Sequence, residues 1–140
     1  MDTSLRIGRI NLLAGILGML AAALGGMALG MTFDQYAVRG GDHVLSLARF
    51  YLREGHSHGM PIALFNLLLA SLVDRMAASD RVKRVCAWSG VAAFLLPLGL
   101  AAKGAAGAPA QFPPLGLLGV IGLLICLGSL LGGFLRGRKD

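Results

Sequence analysis

Apolar residues run along this chain in four long stretches, each bounded by charge. No Asp, Glu, Lys or Arg falls between Arg9 and Asp34, between Glu54 and Asp74, between Arg84 and Lys103, or between Lys103 and Arg136. Lipid offers a backbone no hydrogen-bond partner, so stretches of this kind are satisfied as helices. The pattern predicts spans over residues 10–31, 60–73, 85–102 and 113–135. The fold class is therefore all-α: one integral membrane bundle of four transmembrane helices, occupying residues 1–140 as a single domain.

Proline and glycine set the expected breaks. Pro61 is placed in the first turn of the second span, where its missing N–H would be unpaired anyway, with Ser57 to Gly59 as the cap. Pro97 is expected to bend the third span. Lys103 to Pro114, rich in Gly, Ala and Pro, reads as a loop. Ahead of the second span, residues 42–53 place Val44, Leu45, Leu47, Ala48, Tyr51 and Leu52 on one side, with Arg49 and Arg53 on the other. That pattern predicts an amphipathic helix capped by Asp42 and lying in the outer interface.

Composition agrees with this picture. The chain is 56% hydrophobic and 14% charged, against about 25% charged in soluble domains. A net charge of +6 would suggest nucleic acid in a soluble protein. Here the basic residues lack interleaved aromatics and follow a topology pattern instead, so no nucleic-acid partner is expected. Nine of the thirteen Lys and Arg residues lie in the N-terminus, the middle loop and the C-terminus, and four in the other two loops. That bias predicts both termini in the cytoplasm, with a bacterial inner membrane as the expected location. The basic start, Met1 to Arg9, with the long apolar run after it, reads as an uncleaved first helix that doubles as the insertion signal.

Small residues recur every four positions in the first span: Ala14, Gly18, Ala22, Gly26 and Gly30. They predict a face for close helix approach, within the bundle or onto other subunits. Gly128 and Gly132 give a shorter version in the fourth span. Cys86 and Cys126 form no C-x-x-C pair and are expected to be buried free thiols. No Asp, Glu, Lys or Arg lies deep in a span, which argues against a self-contained transporter. No phosphate loop, Ser/His/Asp set or carboxylate pair is present, so no catalytic residue is assigned.

The remaining chemistry is concentrated around the histidines. His43, His56 and His58 all fall in one outer segment, and Met60 follows the last of them. In a cap or turn, His56 and His58 would converge, with His43 or Met60 as a third donor. Imidazole with thioether suits copper, and imidazole alone suits haem iron or zinc. A proton-transfer or quinone-contacting role, and a plain polar anchor at the membrane surface, are the other readings. Met27 and Met31 are read as packing.

The segment Arg53-Glu54-Gly55-His56-Ser57-His58, followed by Ala63-Leu64-Phe65-Asn66-Leu67-Leu68, resembles a helix start in haem–copper-oxidase-like and nitric-oxide-reductase-like membrane proteins. The resemblance implies that His56 or His58 ligates haem b or a metal. Those oxidases draw histidines from several helices, whereas the first, third and fourth spans here have none. A full oxidase active site is thereby excluded. What the resemblance leaves is a small subunit of a larger membrane oxidoreductase, such as a respiratory complex, with lipid and other membrane subunits as partners. A structural accessory subunit without cofactor, and an oligomeric carrier or pore, are the alternatives.

Overall fold

The computed structural model describes residues 7–32 and 46–136, and among them the only regular elements are helices. Helix α1 covers Arg9–Met31, α2 Leu47–Leu72, α3 Asp80–Ala92, α4 Leu95–Ala105 and α5 Leu115–Arg136, with a 3-10 turn at Val73–Arg75. Four units are long and apolar enough to cross a membrane: Arg9–Met31, Leu47–Arg75, Asp80–Ala105 and Leu115–Arg136. The four-span reading holds at that level. Large apolar side chains point outward along the bundle, Leu13, Leu17, Leu20 and Leu24 on α1 and Leu117, Leu124 and Leu131 on α5 among them. This is the surface a lipid solvent requires.

Several boundaries differ from the sequence reading. The third span starts at Asp80, and its helix runs on through Lys103 to Ala105, into the expected loop. The larger change is in the second span. The expected interfacial helix and second span are one continuous helix, α2. Pro61 lies inside it rather than in its first turn. Its cap is Ser46, whose Oγ accepts a hydrogen bond from the Arg49 backbone N–H at 3.3 Å. The expected cap, Asp42, and His43 lie outside the described residues. The reason is packing: Gly55 and Gly59, which read as breakers in sequence, are close-contact positions. A methyl group at Gly55 would meet Ala101 and the Pro97 carbonyl of α4 at 2.9 Å, and one at Gly59 would meet the Ala22 side chain of α1 at 3.3 Å. A helix that carries both glycines is wedged between two neighbours, and that burial outweighs their poor intrinsic propensity.

Pro97 acts as expected, and more strongly. It interrupts the third span at Ala93–Phe94, between α3 and α4. The Ala93 carbonyl that Pro97 cannot serve accepts instead from the Leu96 N–H at 3.1 Å. Helix α4 ends with Gly107 in the left-handed region (φ 81°). There the Ala108 N–H reaches back to the Lys103 carbonyl at 2.8 Å and the Gly107 N–H to the Gly104 carbonyl at 3.0 Å.

Helices α1 and α2 run antiparallel. Gly8 abuts Ala70, Gly15 abuts Leu67, Gly18 abuts Ala63 and Phe94, and Gly26 abuts His56. On its other side α2 meets α4, with Gly104 against Ala48 and Leu52. Helix α5 closes the bundle through Gly119 on Leu96 and Gly122 on Ser89 and Ala92. A cluster of buried apolar residues sits toward one end: Leu69, Val73, Met76, Cys86, Ala87 and Cys126. Arg9, Arg75, Arg81, Lys83, Arg84 and Arg136 lie at the same end. The opposite end is held by small-residue contacts and carries His56 and His58.

Candidate functional site

Helical geometry decides what the histidines can do. Residues two apart on a continuous helix point about 200° away from each other. His56 faces α1, and its Nδ1 lies 2.7 Å from the Ala22 carbonyl oxygen. His58 faces outward, its side chain 49% exposed, with Nε2 3.8 Å from Glu54 Oε2 one turn back. The structure therefore does not bring the two imidazoles together. Met60 lies one turn beyond His56 on α2 and is 40% exposed. Among the described residues, no group of three or more His, Cys, Asp or Glu side chains is placed to hold a metal ion.

The His56 contact fixes its chemistry. A carbonyl oxygen only accepts, so Nδ1 carries the proton, and in the neutral ring Nε2 keeps its lone pair. Nε2 lies over Gly26, where a methyl group would come within 2.8 Å of it. Glycine at that position makes room for the ring. His56 is half-buried and level with Ala22 and Gly26, so it sits inside the span of α1 rather than at the head of a helix. That depth is a second departure from the sequence reading, and it follows from the continuity of α2.

Further polar contacts lie beyond it, toward the same end of the bundle. Arg49 Nη2 donates to the Leu29 carbonyl at 2.8 Å and Nη1 to Thr32 Oγ1 at 3.2 Å. The guanidinium thus covers the negative end of the α1 dipole. Arg53 stands 5.6 Å from the Phe50 ring centroid and 3.8 Å from Glu54 Oε1. Lys103 Nζ lies 4.5 Å from the centre of Tyr51. Met27 and Met31 are 58% and 73% exposed and point away from the bundle, as packing residues against lipid would.

Two polar pairings escaped sequence reasoning. Asn11 Nδ2 donates to Asn66 Oδ1 at 2.8 Å and to the Ala87 carbonyl at 2.9 Å, while Asn66 Nδ2 donates to the carbonyls of Ile62 at 3.0 Å and Gly90 at 2.9 Å. Three helices meet there. Cys86 and Cys126 are both buried and free, as expected, yet their Sγ atoms lie only 3.6 Å apart across α3 and α5. Forty residues of separation gave no signal of that contact.

No protein-family model, curated protein or solved structure matches this chain.

Proposed function

We propose that this chain is a small integral membrane subunit of a larger membrane oxidoreductase, and that His56 is the residue through which it serves a redox centre. The supporting observation is the 2.7 Å contact of His56 Nδ1 with the Ala22 carbonyl. A ligating histidine typically gives its other N–H to a carbonyl or carboxylate, which fixes ring and tautomer. His56 has that arrangement, within a span and above a glycine. One imidazole is an incomplete site, which is why the reading is a subunit and not an enzyme. The remaining donors come from partner subunits, with Met60 as the local second donor for copper. A haem b iron or copper ion held there supplies one-electron transfer; this chain's part is to orient the imidazole and exclude water.

The decisive measurement is an absorption spectrum with metal analysis of the complex purified from its own membrane. His56→Ala and His56→Gln are expected to lose the haem or copper, and His58→Ala to retain it. A parent complex without either group, or full retention in both His56 variants, overturns the reading. A structural accessory role then remains, favoured by Gly128 and Gly132 of α5, which have open space beside them.

The orientation belongs to the same proposal. Both termini are placed in the cytoplasm of a bacterial inner membrane because the basic end collects the larger share of Lys and Arg. A cysteine introduced at Gly107 should be labelled from outside by an impermeant maleimide, and one at Ala78 should not. The opposite pattern reverses the topology.

A further inference from the structure

We infer that the exposed face of α3 at the basic end is a binding site for an anionic phospholipid, with Arg81 and Arg84 holding the headgroup phosphate and Trp88 and Val85 lying along the acyl chain. The inference rests on the membrane-spanning reading of α3–α4 and is independent of His56. Asp80, Arg81, Arg84, Val85 and Trp88 line an open groove of about 390 Å³. Four of them, at positions 81, 84, 85 and 88, follow the three-and-four spacing of one helix face. Charge and apolar surface are sorted along that face. The two guanidiniums sit in the first turns of α3. Trp88 follows seven residues after Arg81, about 10 Å further along the axis toward the hydrocarbon.

The side chains are free to take a ligand. Val85 is 47% and Trp88 61% exposed, and neither is used by the apolar cluster behind them. Arg81 and Arg84 make no hydrogen bond or ion pair among the described residues, whereas the neighbouring Lys83 is engaged, donating to the Asp74 carbonyl at 3.0 Å. An indole at the membrane boundary with a pair of arginines one to two turns above it matches a phosphodiester linked to a hydrocarbon tail. Guanidinium supplies a planar fork for phosphate oxygens, and an indole, apolar with one polar edge, suits the boundary between headgroup and hydrocarbon. Asp80 opposes an anion at one rim of the groove, so the phosphate is placed between the arginines and away from it.

Trp88 is the single tryptophan of the chain, and its fluorescence therefore reports on this face alone. The full-length protein is reconstituted in phosphatidylcholine vesicles containing a small mole fraction of brominated phosphatidylglycerol. A parallel sample contains the same fraction of brominated phosphatidylcholine. Attraction of about fivefold per arginine near the surface predicts roughly 25-fold enrichment of the anionic lipid at Trp88, read as stronger quenching. The enrichment should fall to about fivefold in Arg81→Gln or Arg84→Gln and disappear in the double variant. Arg75→Gln, exposed at the same end but outside the groove, should leave it unchanged. Circular dichroism of each variant verifies the helical fold. Equal quenching by the two lipids in the parent protein overturns the site, and so does a preference that survives the double variant. A loss in Arg75→Gln equal to that in Arg81→Gln also overturns it, because it would mean a diffuse surface potential.

Discussion

Gly18→Leu is expected to destabilise the bundle by about 1–3 kcal/mol, while Gly30→Leu on the same helix stays within about 0.5 kcal/mol of the parent. The two positions look alike in sequence. In the structure, a Cβ at Gly18 collides with the Phe94 ring and lies 3.3 Å from the Ala63 side chain, and one at Gly30 meets nothing within 4 Å. Leucine at position 18 must displace the Phe94 ring at the α3–α4 break and crowd the Ala63 side chain of α2. At position 30 it adds one more apolar side chain to an exposed apolar surface. Reversible unfolding in mixed micelles reads the difference. Equal shifts would mean that the variants report only helix propensity and that α1 does not dock along the line described.

That line shows how far a sequence pattern reaches. The ladder of Ala14, Gly18, Ala22, Gly26 and Gly30 correctly marked three contact positions, because Gly18, Ala22 and Gly26 all touch α2. Strict steps of four advance about 400° each and drift around the helix by about 40° per step. A four-step ladder therefore leaves the interface. The true seam mixes steps of three and four: Gly8, Asn11, Gly15, Gly18, Ala22 and Gly26. Gly30 has drifted out of it. The spans themselves were legible because lipid forbids charge and permits little but helix. The join at Gly55 to Pro61 was not, since glycine spells a break in a soluble loop and a close approach in a bundle. Only knowledge of which neighbour stands beside it separates the two. His56 could be named from sequence, but not its partner: nothing in the chain says that the Ala22 carbonyl will lie opposite, and the continuity of α2 turns His58 to the other side.

Asn66→Ala is expected to cost about 1–3 kcal/mol, more than Asn11→Ala, and the double variant less than the sum of the two. Both asparagines are fully buried where α1, α2 and α3 meet. The orientation of the amides is dictated by their partners. The Ala87, Ile62 and Gly90 carbonyls only accept, so both Nδ2 groups must face carbonyls, and all four of their N–H bonds find an acceptor. Asn11 Oδ1 is left as the one buried side-chain oxygen or nitrogen among the described residues without a partner. Removing Asn66 therefore strips an acceptor from Asn11 and a donor from Gly90, at a junction buried from any replacement partner. Removing Asn11 breaks its bonds to Asn66 Oδ1 and the Ala87 carbonyl but also removes the orphaned oxygen, and it leaves Asn66 Oδ1 without a donor. Removing both strands neither amide against the other. A double-mutant cycle should accordingly return a coupling of about 0.6–2 kcal/mol between the two positions. Strict additivity would mean that the amides do not meet, and with that the described junction of the three helices would fail.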